Sequence, residues 1–300
     1  MSSTVAVSGA TGLVGKELCS LLKATGHKVL ALSRKQSEGY EDSIHWDADK
    51  GITNPARLES VDTIVHLAGE NIAAGRWNDA LKARIRSSRV AGTRSIVNSL
   101  RGLKKRPSTL ICASAIGLYG DQGDKVLDET AGPGSGFLPD VCREWEAEAV
   151  AAESLGLRVV RVRIGVVLSP QGGALAKMLL PFKLGVGGII GSGRQYWSWI
   201  GLHDLTRVLA WCVQTPSISG PVNAVSPQPM TNRDFTKTLA GVLHRPAIFP
   251  MPAFAARLAL GEMANDLLLA STRVVPKRLL DSGFEFQNPD LKSCLEHELA

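Results

Sequence analysis

Gly9-Ala10-Thr11-Gly12-Leu13-Val14-Gly15 is the stretch that decides the fold. A short apolar run, Val5-Ala6-Val7, precedes it, and Leu13, Leu18, Leu21 and Leu22 recur at helical spacing until Gly26. The glycines therefore sit on a strand–turn–helix unit, the setting in which such a motif carries meaning. Gly9 can take the backbone angles of a tight turn. Gly12 has no side chain to keep a pyrophosphate off the main chain, and Gly15 lets the helix approach the sheet. Thr11, Leu13 and Val14 share the turn, where a helix N-terminus offers unpaired N–H groups to phosphate. The stretch reads as a dinucleotide site.

Lys28 to Leu32 reads as the next strand, running into Ser33-Arg34-Lys35. An NAD-specific site places an acidic residue near this point, on the ribose 2′-hydroxyl. Here a hydroxyl and two cations stand instead, and a guanidinium suits a 2′-phosphate. NADP(H) is the expected cofactor, with NAD(H) the weaker alternative. Ile44 to Trp46 forms a short third strand. Asp47 after it lies either near the adenine or in an ordinary loop. Val61 to Gly69 is a buried strand ending in small residues, and Leu67, Ala68, Gly69 and Glu70 occupy the carboxyl end where ligands bind in such sheets. His66, inside that apolar run, reads as a buried, hydrogen-bonded histidine rather than a base.

Composition sets bounds on this reading. The chain has 300 residues, 44% apolar and 21% charged, enough for a sizeable core in one large domain or two unequal ones. No apolar run approaches the roughly 18 residues of a membrane span. The sequence opens directly into its first strand, so no targeting segment is expected, and a cytoplasmic, stromal or matrix setting fits. The net charge of +6 is scattered apart from Arg101 to Arg106, which argues against a nucleic-acid reader. The five cysteines form no Cys-x-x-Cys pair, and no metal site is expected.

Further along, Trp77 to Leu100 has helical periodicity, Thr109 to Ala113 reads as a strand, Pro139 opens a helix through Glu153, and Arg158 to Val167 is another strand. Alternation of this kind predicts an α/β protein with a Rossmann-type, doubly wound parallel sheet. Beyond residue 170 glycines cluster, Pro221 to Asn232 reads as loop-rich, and helices follow from Pro250. The expected organisation is a dinucleotide-binding domain over 1–170 and a smaller, partly helical lobe over 171–300, with interleaving of the two allowed for. The cleft lies between them.

The motifs Leu67-Ala68-Gly69-Glu70-Asn71 and Ala113-Ser114-Ala115-Ile116-Gly117-Leu118-Tyr119-Gly120, with the glycine turn, resemble the extended short-chain dehydrogenase/reductase (SDR) superfamily. Ser88-Arg89-Val90, Cys142-Arg143-Glu144-Trp145-Glu146, Arg163-Ile164-Gly165 and Gly191-Ser192-Gly193 resemble, more narrowly, its atypical epimerase/dehydratase-like subfamily 39U. Gly261-Glu262-Met263 and Gly283-Phe284-Glu285-Phe286 are similar to that subfamily's C-terminal extension, about residues 247–297. The resemblance implies an oxidoreductase or epimerase and adds Arg89 and Arg163 to the cofactor contacts. Some members are described as cell-division factors.

SDR chemistry needs a tyrosine with a lysine four residues on, one helical turn apart. The three tyrosines, Tyr40, Tyr119 and Tyr196, are followed at that spacing by Ile44, Gly123 and Ile200. The dyad is absent. Tyr119 and Ser114 are the remaining catalytic candidates, and Asp140, Arg143 and Glu144 are either new chemistry or a solvated helix face. Many relatives carry a histidine where Gly201 stands, with His203 two places later, which predicts an altered pocket if that histidine touches substrate. The functional expectation is an NADP(H)-binding, SDR-like oxidoreductase or epimerase acting on an unidentified small molecule. A non-catalytic NADP(H)-dependent sensor or scaffold is the alternative. Nucleic acid and membrane are not expected as partners, and an oligomer is left open.

Overall fold

The computed structural model describes residues 2–34 and 42–300; Lys35 and Tyr40 lie outside the described residues. The first half alternates strands and helices. In order these are β1 (Thr4–Ser8), α1 (Leu13–Ala24), β2 (Lys28–Ser33), β3 (Ile44–Asp47), β4 (Gly51–Ile52), β5 (Thr63–His66), α2 (Asp79–Leu100), β6 (Thr109–Ala115), β7 (Val126–Leu127), α3 (Phe137–Val150) and β8 (Arg158–Ile164). The second half runs β9 (Val166–Ser169), α4 (Gly173–Lys183), β10 (Tyr196–Trp197), β11 (Trp199–Gly201), α5 (Leu202–Gln214), β12 (Gly220–Ala224), β13 (Met230–Thr231), α6 (Asn232–Val242), α7 (Ala253–Leu260), β14 (Arg273–Val274), α8 (Lys277–Asp281) and α9 (Leu291–Leu299).

The main sheet has eight strands in the order β12-β8-β6-β5-β1-β2-β3-β4. All pairs in it are parallel except β3 with β4. β5 and most of β6 are buried along their whole length, as strands covered on both faces must be. α1 and α5 pack together on one face, over Val5, Val7, Val65 and Val160. α2 and α3 pack together on the other, over Ala6, Ile64, Leu110 and Val159. The topology is the doubly wound Rossmann type, and it turns the carboxyl ends of β1, β2, β5 and β6 toward one crest.

Several local expectations shift. α2 begins at Asp79 rather than Trp77, because the Asn78 side chain accepts the Leu81 N–H at 2.8 Å and caps the helix. The strand expected over Arg158–Val167 breaks at Gly165, where a Cβ would stand 2.7 Å from the Ser198 carbonyl oxygen. The chain then moves to a separate pair, β9 with β11. α4 forms within the region where glycines cluster. Gly220–Ala224, inside a stretch read as loop-rich, is the outermost strand of the main sheet. Pro221 is tolerated there because an edge strand does not need every N–H. The sheet is thus completed by the second half of the chain, and the two parts interleave.

Candidate cofactor site at the crest of the sheet

The glycine turn is held by close contacts that admit no side chain at two positions. Gly9 has φ +72°, and a Cβ on it would lie 3.0 Å from Ala68 N and 3.1 Å from Leu67 C. A Cβ on Gly15 would lie 2.1 Å from the Gly9 carbonyl oxygen, well inside contact distance. Gly12 differs: its nearest neighbour would be 3.3 Å away, and its outer side is exposed together with Thr11. Gly12 N–H closes the turn on the Gly9 oxygen at 2.9 Å. Gly12 caps α1 without a side-chain hydrogen bond. The N–H groups of the first turn, at Leu13 and Val14, therefore point outward with no intrahelical acceptor. Small residues, free amides and a dipole end together form a cradle for an anion.

The end of β5 forms the second wall, and its position is set by a buried pair. Ser8 Oγ accepts the N–H groups of Leu67 at 3.1 Å and Ala68 at 3.3 Å. Its own proton is then directed to His66 Nδ1, 2.6 Å away. His66 is fully buried, as the sequence suggested, and its Nε2 has no hydrogen-bond partner among the described residues. Burial, reinforced by the Arg89 charge, pushes its pKa down to about 4 and keeps the ring neutral. Leu67 and Ala68 are half-buried and Gly69 is exposed, so the backbone here borders the crest.

Arg89 braces this wall. Its guanidinium donates to the carbonyls of Glu70 at 3.0 Å and Ile85 at 3.2 Å, and stacks 5.3 Å from the Trp145 ring. Glu70 N–H donates to Ser88 Oγ at 3.0 Å. At the end of β2, Ser33 is half-buried and Arg34 exposed. Asp47 accepts the N–H groups of Asp49 at 3.0 Å and Lys50 at 3.1 Å. Those bonds hold its carboxyl below the usual range, with Lys50 and Arg34 adding to the effect. The side chain is thereby engaged in closing its own turn.

Three expected site residues, Ser114, Tyr119 and Arg163, are joined in one buried network at the carboxyl ends of β6 and β8. Ser114, Arg163 and Asn223 lie in register across β6, β8 and β12. Ser114 Oγ donates to Glu146 Oε1 at 2.8 Å. Arg163 Nε and Nη2 grip Glu146 at 2.8 and 3.0 Å, and Arg161 Nη1 adds a bond at 3.0 Å. Tyr119 is fully buried; its hydroxyl donates to Asn223 Oδ1 at 2.7 Å and accepts from Arg163 Nη1 at 2.9 Å. Burial raises its pKa, the opposite of what an activated phenol needs. Arg163 is bonded to both Glu146 and Tyr119, and through them it braces the sheet. Glu146 is the residue missed. Its signal was a carboxylate set inside the apolar stripe Leu138, Val141, Cys142, Trp145 and Ala149 of α3.

Two other expectations resolve. Asp140 pairs with Arg143 and Glu144 with Arg86 on the exposed surface, the solvated-face reading. Gly201 is not in a pocket: a Cβ there would meet Cys294 Sγ at 2.7 Å and Glu298 Oε1 at 3.0 Å, against α9. His203 bonds Gln287 Oε1 through Nε2 at 2.7 Å.

The second half closes over the crest. Lys177 of α4 donates to the Ala73 carbonyl at 3.0 Å. A Cβ on Gly172 would stand 3.3 Å from Leu13. Arg76 lies against Gly261, Lys82 pairs with Glu262, and Trp77 packs edge-on against Phe137. Asp266 shares this seam; burial first, then the Glu262 charge, raise its pKa. Among the described residues no group of three or more metal-ligating side chains converges.

A match to the NAD dependent epimerase/dehydratase family spans residues 5–224, from β1 through the outermost strand β12. The chain belongs to this family. Residues 251–298 match a domain of unknown function, DUF1731, which covers the C-terminal part. An epimerase family protein of Mycobacterium bovis is 40% identical over 294 residues, covering 98% of this chain and 97% of that protein. Epimerase family protein YfhF of Bacillus subtilis is 38% identical, covering 99% and 98%. Among solved structures, human epimerase family protein SDR39U1 (isoform 2) with NADPH superposes at a TM-score of 0.89. It is 34% identical, with 98% of each chain covered. A nucleoside-diphosphate sugar epimerase from Corynebacterium glutamicum superposes at 0.82 with 35% identity, over all of this chain and 58% of that one. The epimerase/dehydratase family thus supplies the sheet and the crest, and the DUF1731 part supplies the seam at Gly261, Glu262 and Asp266.

Proposed function

We propose that this epimerase-family chain holds NADP(H) across the crest and acts as an oxidoreductase or epimerase on a small molecule enclosed by the seam. One observation carries the cofactor reading: the cradle at Gly9, Gly12 and Gly15 at the start of α1, where the first-turn amides of Leu13 and Val14 have no intrahelical acceptor. Those amides suit the pyrophosphate, Ser33 and Arg34 suit a 2′-phosphate, and Leu67 to Gly69 border the rest. The NADPH carried by the human relative supports the same choice. When bound, the nicotinamide supplies or accepts a hydride.

The chain's own part is to bind, orient and move a proton. Tyr119 is poorly placed for the proton, because its hydroxyl is committed to Asn223 and Arg163. Asp266 is the other candidate, a half-buried carboxyl at the seam beside Glu262 and Lys82 whose pKa burial shifts upward, the direction a general acid needs. Thermal unfolding with millimolar NADPH tests binding; a micromolar site stabilises by roughly 4 kcal/mol. No shift with NADPH or NADH overturns the cofactor reading. NADPH oxidation over a panel of carbonyl compounds and sugar nucleotides, lost in Asp266→Asn, tests the chemistry.

A second reading, a non-catalytic NADP(H)-dependent sensor or scaffold, draws on the burial of Ser114 and Tyr119 in the Glu146 network. Cofactor binding with no turnover on that panel favours it.

A further inference from the structure

Eight large apolar side chains stand exposed on two connected stretches of the second half. Leu180, Leu184 and Val186 are 66%, 68% and 52% exposed; Ile248, Phe249 and Met251 are 71%, 57% and 42%; Phe254 and Leu258 are 71% and 76%. The stretches form one surface, because Phe249 N–H donates to the Gly187 carbonyl, Met251 N–H to Ile189 and Gly191 N–H to Met251. On α4, Leu180 and Leu184 are one turn apart, as are Phe254 and Leu258 on α7. Each pair points away from the core, while Leu175, Leu179 and Phe182, and Ala256 on α7, point into it. Eight such side chains on two stretches joined by backbone hydrogen bonds are more than the singly scattered apolar groups of an ordinary surface, and mark a contact surface.

The charges carried by these two stretches are of one sign, and the nearby Glu262 is paired with Lys82. Lys177, Lys183, Arg245 and Arg257 lie in residues 173–191 and 244–260, and neither stretch contains an aspartate or glutamate. Lys183, Arg245 and Arg257 are exposed among the apolar groups. Two copies meeting face to face would bring these cations together with no carboxylate to answer them. An anionic lipid surface answers both features: apolar side chains enter the headgroup boundary and cations meet the phosphates. No helix among the described residues is long and apolar enough to cross a membrane, so the contact is one of docking.

We propose that the face built from Leu180, Leu184, Ile248, Phe249, Phe254 and Leu258, rimmed by Lys183, Arg245 and Arg257, docks the protein on an anionic membrane surface. The test is flotation of the full chain with phosphatidylcholine vesicles containing about one third phosphatidylglycerol, against pure phosphatidylcholine. The protein is expected to float with the anionic vesicles only. Phe254→Asp with Leu258→Asp, and separately Leu180→Asp with Leu184→Asp, abolish flotation while unchanged thermal unfolding shows that the fold is kept. Lys183→Gln with Arg245→Gln lowers the partition about 30-fold. Absence of flotation, or equal flotation with neutral vesicles, overturns the proposal. So does sedimentation equilibrium showing a dimer that the same aspartates dissociate, since a second copy then covers this face.

Discussion

Arg163 Nε lies 2.8 Å from Glu146 Oε1, and both side chains are only 7% exposed. A buried pair of this kind adds little over an apolar core when intact, but removing one partner leaves an uncompensated charge. Glu146→Ala strands both Arg163 and Arg161, and is expected to lower the unfolding free energy by about 3–5 kcal/mol. Urea denaturation reads the change. A loss under about 1 kcal/mol would show that the arginines find water instead.

The glycines of the first turn separate folding from binding. Gly15→Ala forces a methyl into the Gly9 carbonyl, and both stability and NADPH binding should fall. Gly12→Ala meets a single tight contact, 3.3 Å to the Gly9 carbonyl oxygen, which a shift of a few tenths of an ångström relieves, so it is expected to cost about 1 kcal/mol, well below Gly15→Ala. Its methyl points at the phosphate position, so NADPH affinity measured by nucleotide fluorescence is expected to drop about tenfold or more.

Arg34 should set the choice of nucleotide. Losing a charge-assisted bond to a 2′-phosphate corresponds to about 10- to 100-fold in affinity. Arg34→Ala is expected to weaken NADPH by that factor and leave NADH unchanged. Parallel titrations with the two nucleotides decide it; an equal loss for both would place Arg34 elsewhere.

His66 gives the stability a pH dependence. Its folded pKa, near 4, lies below the ordinary value of 6.5, so the unfolded chain binds the extra proton first. Its contribution is complete above pH 6.5 and is lost progressively as pH falls toward 4, up to about 3 kcal/mol in all. Unfolding at pH 7.5 and pH 5 should differ in this direction, and His66→Gln should flatten the difference. A steeper fall in the variant would assign the dependence to other groups.

What was legible in the sequence was local. The glycine turn, the small residues ending β5 and the buried His66 declare themselves within a few neighbours, because turn geometry and apolar runs are short-range signals. The Glu146 network did not, since its members come from β6, α3, β8 and β12 and are related only by strand register. Ser114 and Tyr119 looked available because sequence cannot show which hydroxyls are already bonded. Pro221 hid an edge strand, and Gly201 answers to the close approach of α9, a long-range contact that local sequence does not carry.

The outermost strand has a consequence for how the protein is made. β12 is the neighbour of β8, yet it follows it by more than fifty residues, with β9, α4, β10, β11 and α5 between. Asn223 on that strand also accepts from the Tyr119 hydroxyl and donates its N–H to Glu129, which in turn accepts the Arg278 N–H. During synthesis the open edge of β8 waits for this strand, and Glu129 waits longer still for α8. The nascent N-terminal half therefore stays unsealed until the last quarter of the chain has emerged, and a truncated product ends with a bare sheet edge that other chains can pair with.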